Sequence, residues 1–188
     1  MLNQVSVKLT EKMLKRVKNI RFGIDVYVYG IEIILSTIVE IIAILVFSLC
    51  LSDIIDGLLF LLLFMSLRTF TGGYHAKTYR KCFCVTLTSF LCVLYIRNWI
   101  VNIYFDEICY VFLILICVYI IYRAPIINER QPLSKIKIVK NGKMAAICLL
   151  LDVAVVFILA QLDRKLMYLA ILTVCLVAAL MLITDIFV

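Results

Sequence analysis

Ile31-Glu-Ile-Ile-Leu-Ser-Thr-Ile-Val-Glu-Ile-Ile-Ala-Ile-Leu-Val-Phe-Ser-Leu-Cys-Leu51 is a run of 21 residues in which Glu32 and Glu40 are the only charges. A helix needs about 20 mainly apolar residues to cross the hydrocarbon core of a bilayer. The run therefore predicts a membrane span. Further apolar runs lie at about 54–67, 83–101, 107–122, 144–161 and 166–187. Over all 188 residues the hydrophobic share is 65% and the mean hydropathy +1.13, where a soluble domain is about half apolar. The expected fold is all-α: a polytopic membrane bundle of about six apolar segments, preceded by an amphipathic helix. One integral-membrane domain is expected over 1–188, with a basic N-terminal helix at 1–22 and the bundle at 31–187.

The runs differ in length. The first, third and last are long enough to span, and the fourth and fifth are at the short end. The second is too short unless Arg68 snorkels and the helix extends toward Phe70. With the brief turn Leu51-Ser-Asp-Ile-Ile-Asp-Gly57, runs one and two form either a full hairpin or a partly re-entrant pair. Both return the chain to one side. Of the 19 Lys and Arg, 16 lie before run one, at 68–81 or at 123–143, and only Arg97, Arg164 and Lys165 lie on the other side. By the positive-inside rule both termini, the 68–82 segment and the 123–143 loop are cytoplasmic.

Residues 1–21 are polar and basic, with no short apolar stretch and small-residue cleavage site of the kind that marks a signal peptide. From Val5 to Ile20 the apolar residues Val5, Leu9, Met13, Leu14, Val17 and Ile20 follow a helical period against a basic face. That pattern predicts an interfacial helix on the inner leaflet. The net charge of +7 sits between apolar runs, as topology signals do, so no nucleic-acid partner is expected. Seven of the eight cysteines (Cys50, Cys84, Cys92, Cys109, Cys117, Cys148 and Cys175) fall in or beside apolar runs and read as packing residues. Without a CxxC pair or a second histidine, neither a metal nor a cofactor is expected.

The stretch Arg68-Thr-Phe-Thr-Gly-Gly-Tyr-His-Ala-Lys-Thr-Tyr-Arg-Lys-Cys82 carries the chemistry. His75 is the sole histidine, and Cys82 is the one cysteine among cations, with Arg80 and Lys81 beside it and Lys77 earlier. A thiol reacts as thiolate, and neighbouring cations favour that form. Thiol and imidazole together are a nucleophile and its base. On a helix, seven residues rotate by about 700°, putting His75 and Cys82 on one face, and nine rotate by about 900°, turning Cys84 away. The same helix would separate His75 and Cys82 by about 10.5 Å, beyond the roughly 2.6–3.2 Å that such a pair needs. Either Gly72-Gly73 turns His75 back over Cys82, or the contact crosses a dimer interface. The bland alternative is an interfacial histidine and a packing thiol. An acid that orients the imidazole is optional. Glu40 and Glu32 are the candidates. An ionisable group in mid-span is a functional hypothesis in itself, yet Glu40 lies deep, far from an interfacial His75 unless run one is tilted or water-filled. A rival reading makes the chain a small transporter or channel subunit with Glu40 as its intramembrane polar site.

Arg68, Thr71-Gly-Gly-Tyr-His-Ala-Lys77 and Cys82 resemble the AgrB family, membrane endopeptidases of accessory gene regulator quorum-sensing systems in Gram-positive bacteria. The stretch Ala124-Pro125…Asn128…Gln131-Pro132-Leu133 resembles that family's loop before its last two spans. The likeness covers most of the chain. It implies a multi-pass protein of the bacterial cell membrane, acting as a homodimer on an AgrD-like precursor peptide. It also implies Cys82 as nucleophile and His75 as base and then acid, with Arg68, Gly72 and Gly73 shaping the site. Lys77, Pro125, Asn128 and Pro132 are the residues expected to meet the peptide. The implied reaction removes the C-terminal part of the precursor, holds the rest as a thioester on Cys82, and closes a thiolactone or lactone.

Overall fold

The computed structural model describes residues 2–14, 23–72, 79–101, 106–126 and 134–187. Seven helices follow one another: α1 (Leu2–Leu14), α2 (Ile24–Leu51), α3 (Ile54–Thr71), α4 (Tyr79–Ile100), α5 (Asp106–Arg123), α6 (Lys135–Leu162) and α7 (Arg164–Phe187). The architecture is an all-α polytopic bundle. α2, α3, α4, α6 and α7 are each long and apolar enough to cross a membrane. α5 has 18 residues but carries Asp106, Glu107 and Arg123 at its ends. Each apolar run is a helix.

The helices reach past the runs because helix formation tolerates charged ends that hydropathy does not count. α3 is the clearest case. It continues through Arg68 to Thr71, giving 18 residues, or about 27 Å at 1.5 Å per residue. The 54–67 run is thus a full-length helix and not a re-entrant stub. The 123–143 loop is shorter than expected, because residues 135–143 are helical. Ser134 caps α6, its hydroxyl accepting from the Lys137 N–H at 3.4 Å, which gives a basic stretch without proline a defined start.

α3 and α7 form the centre. α3 packs against α2, α6 and α7, and α7 also against α4, α5 and α6. Phe60 stacks on Phe64 with centroids 5.1 Å apart and meets Phe90 of α4 at 5.0 Å. Tyr168, Leu169, Ile171 and Met181 of α7 are fully buried beside them. The outward faces of α2, α5 and α6 are apolar and exposed, at positions such as Ile34, Leu49, Leu115 and Leu150. This is the surface that a lipid solvent demands, and the protein is a multi-pass membrane protein.

α2 and α3 join tightly at Ser48 and Gly57. The Ser48 hydroxyl accepts from the Gly57 N–H at 2.8 Å and donates to the Asp53 carbonyl. A Cβ on Gly57 would meet Ser48 at 2.8 Å, so only glycine lets the helices come this close. Polar groups then lock the two ends of the bundle. At one end Arg97 Nη1 is 2.5 Å from Asp56, both nearly fully buried, and Arg164 pairs with Asp106 at 2.9 Å. At the other end Arg123 pairs with Asp185.

α1 packs against α2, burying Ser6 and Thr10. Its stripe of Val5, Leu9 and Met13 stays exposed, while Lys8 and Lys12 stand on the same short helix. Small polar residues thus face the protein, and the apolar stripe is left for lipid. The rest of the expected Val5–Ile20 helix, from residue 15 onward, lies outside the described residues.

Candidate active site

Cys82 lies in the first described turn of α4, half-buried. Three helices meet at its sulfur. From α3, Arg68 Nη2 lies 4.0 Å from Sγ. From α2, the Glu40 carboxylate lies within electrostatic reach of the thiol and of Arg68. From α4 itself, the Thr86 hydroxyl donates to the Cys82 carbonyl at 3.1 Å. Arg68 is placed by its own helix, with its guanidinium 5.0 Å over the Phe64 ring one turn back. A cation stacked on an aromatic face keeps its charge with less solvation. Cys84 is exposed on the bundle surface.

Mid-span depth does not keep Glu40 from Cys82, while its separation from His75 lies outside the described residues. The cause is side-chain direction. On a helix the Cα–Cβ bond tilts toward the N-terminus, so the Glu40 carboxylate reaches back toward the end where α4 begins. Glu32 is buried eight residues earlier on α2, about 12 Å along the axis from Glu40. The carboxylate within reach of the sulfur is therefore that of Glu40.

The two motif-bearing segments meet just beyond α3. Gly72 caps that helix with φ +71°, and the Ile126 N–H donates to the Thr71 carbonyl at 2.9 Å. A Cβ on Gly72 would sit 2.5 Å from the Ile126 oxygen. Pro125, joined to Ala124 by a cis peptide bond, thereby adjoins the residue bonded to the end of α3, three residues past Arg68. Both the backbone angle and the space exclude a side chain at Gly72. Gly72→Ala is expected to cost about 1–3 kcal/mol for the forced backbone alone, and it should separate Ile126 from Thr71. Thermal melting of the detergent-solubilised protein measures this, and an unchanged Tm would remove the stitch from the account.

His75, Gly73, Lys77, Asn128 and Pro132 lie outside the described residues. Thr86 and Phe64 went unread in the sequence, though each stands four residues from a residue that was singled out, Cys82 and Arg68, the spacing at which helix side chains touch. Asp152 was also missed. It is buried in α6 and accepts from the Ser66 hydroxyl at 3.4–3.5 Å. A carboxylate inside an apolar run was the available signal.

The model of one family, accessory gene regulator B (AgrB), matches residues 6–184. The chain belongs to the AgrB family. The match takes in both the Arg68–Cys82 stretch and the Pro125 segment. No curated protein and no solved structure matches the chain. AgrB membership gives the protein a role in the accessory gene regulator system of quorum sensing, with a peptide precursor as the partner that membership implies.

Proposed function

We propose that this AgrB-family protein is a membrane cysteine endopeptidase that cleaves an AgrD-like precursor and cyclises the part it retains. Cys82 attacks the scissile carbonyl, the C-terminal part leaves as an amine, and the N-terminal part remains as a thioester. A thiol or hydroxyl within the peptide then displaces Cys82 and closes the thiolactone or lactone. His75 serves as the acid–base residue of the pair, and Arg68, Gly72 and Gly73 shape the site.

The observation that carries this reading is the Arg68 guanidinium beside the Cys82 sulfur, Nη2 to Sγ 4.0 Å. A half-buried thiol beside a fixed cation is equipped to form and hold a thiolate. Backbone N–H groups near Cys82 are the candidate donors for the oxyanion that develops at the carbonyl. A thioester preserves acyl activation, and a site shielded by lipid keeps water from spending it. Glu40, within electrostatic reach of Arg68 and Cys82, gives little support to a transporter or channel built on that residue. The end of the bundle carrying Cys82, Gly72 and Pro125 faces the cytoplasm in this reading, supported by the 16-to-3 division of cations. The enzyme acts as a homodimer.

Capture of the intermediate tests the proposal. Vesicles containing the protein are given an AgrD-like precursor, quenched in acid and analysed by mass spectrometry. A precursor fragment bound to Cys82 and released by neutral hydroxylamine is the expected result. Cleavage with the adduct on another residue, or with none under conditions that trap thioesters, would sink the assignment.

A further inference from the structure

Asp152 is the one ionisable residue in the apolar run 144–161, and it is buried. A carboxylate there is costly unless it is paired or used. It meets the Ser66 hydroxyl of α3, which lies 3.4 and 3.5 Å from its two oxygens. We propose that Asp152 is a positioning residue for the peptidase: through Ser66 it holds α3 at the rotation that keeps the Arg68 guanidinium beside the Cys82 sulfur. The inference rests on the peptidase reading and gives Asp152 no contact with the peptide.

The geometry of α3 is the physical argument. Ser66 and Arg68 stand two positions apart, about 200° around the helix and about 3 Å along it. They leave opposite flanks at nearly one height. Ser66 meets Asp152 of α6, and Arg68 Nη2 comes within 4.0 Å of Cys82 Sγ on α4. The stretch before them, Leu58 to Met65, is wholly apolar. In a bilayer such a helix gains little from turning one apolar face rather than another to its neighbours, because lipid tails are as apolar as leucine. Polar contacts between helices then weigh more in setting the angle. The Ser48–Gly57 contact acts at the far end of α3, whereas Ser66–Asp152 acts at the height of Arg68. Side-chain tips lie about 6 Å from a helix axis, so a rotation of about 20° moves them by about 2 Å. That is half of the Arg68–Cys82 separation.

The donor and acceptor count suits a carboxylate. The Ser66 hydroxyl has one proton and shares it with the Leu63 carbonyl at 3.0 Å. A group with two oxygens turned to that hydroxyl can accept through either. A carboxamide keeps one such oxygen, and a leucine of similar size keeps none.

Alkylation of Cys82 tests the assignment without any precursor. The protein in lipid vesicles is treated with iodoacetamide over a series of pH values, and Cys82 modification is read by mass spectrometry. A thiol that loses a neighbouring cation ionises at higher pH. Asp152→Leu and Ser66→Ala are each expected to raise the midpoint of the Cys82 profile by about one unit, slowing alkylation below it by about tenfold. Asp152→Asn, whose oxygen still accepts from Ser66, should stay within about threefold of the parent. Cleavage of an AgrD-like precursor should follow the same order, in kcat and not in KM. Ser66→Ala removes a single oxygen and keeps the test decisive if Asp152→Leu does not fold. Arg68→Gln should raise the midpoint by itself, and adding Ser66→Ala to it should change nothing further, since the positioning acts through the guanidinium. An unmoved midpoint in Ser66→Ala, a shift in Asp152→Asn equal to that in Asp152→Leu, or a further shift in the double variant overturns the proposal. Persistence of cleavage in Cys82→Ala would instead sink the peptidase reading itself, so the two failures are distinguishable.

Discussion

Cys82→Ala is expected to abolish precursor cleavage, while Cys84→Ala keeps it near the parental level. The two residues stand only two positions apart, Cys82 just before the apolar run at 83–101 and Cys84 just inside it. Their surroundings differ. Cys82 lies beside Arg68 and within electrostatic reach of Glu40, whereas Cys84 is exposed on the bundle surface. Removing the nucleophile of a covalent enzyme costs on the order of 10³-fold or more, since no other member of the site can form the acyl intermediate. Cys84→Ala removes one exposed sulfur, a change typically within about 0.5 kcal/mol. Cleavage is followed by the shift in precursor size in membranes holding equal amounts of each variant. Cys82→Ser guards against simple misfolding, because its side chain differs from the parent by one atom. It too should lose cleavage, the hydroxyl being far less ready to ionise. Activity surviving in Cys82→Ala, or vanishing in Cys84→Ala, would transfer the role.

Arg97→Ala should produce the largest loss of stability. Arg97 and Asp56 are each about 5% exposed in their side chains and 2.5 Å apart. Arg97 Nη2 also donates to the Ser52 hydroxyl at 3.2 Å, and Nε and Nη2 to Asn98 Oδ1 at 3.1 and 2.9 Å. The network ties the end of α4 to the α2–α3 turn. Deleting the cation leaves the Asp56 carboxylate buried without its charge partner, a situation that costs about 3–5 kcal/mol. A double change, Asp56→Asn with Arg97→Gln, removes both charges and should cost clearly less. Thermal unfolding in detergent compares the three proteins. If the double variant is as unstable as Arg97→Ala, the stranded charge is not the cause. The Cys82 site lies at the other end of the bundle, so variants that remain folded should still form the thioester.

Legibility differed by the range of the interaction concerned. Run 31–51 could be read as a span because the thickness of a bilayer acts on every helix separately. Run 54–67 was harder. Hydropathy stops at Arg68, whereas the helix continues to Thr71 because Arg68 is held over Phe64 and beside Cys82. Lys135 to Lys143 read as loop because charge outweighed helical period, and the Ser134 cap was overlooked. Cys82 was separable from Cys84 by rotation alone. Glu40 stands out in the sequence as an ionisable group in mid-span and a candidate acid for the reactive pair, with its depth as the obstacle. Depth along the sequence ignores the direction in which a side chain reaches and the partner helix it faces.

The amino-acid sequence by itself determined the all-α membrane class, the six apolar segments and the division of cations. These follow from hydrophobicity and charge, which each segment carries whatever its neighbours do. It also carried the motif that the AgrB match spans. Only the tertiary structure decided that Arg68 of α3 lies beside the Cys82 sulfur and that Gly72 lies against Ile126. Those contacts link residues 14 to 54 positions apart. They depend on which helix faces meet and how closely, a property of the packed bundle that no local period encodes.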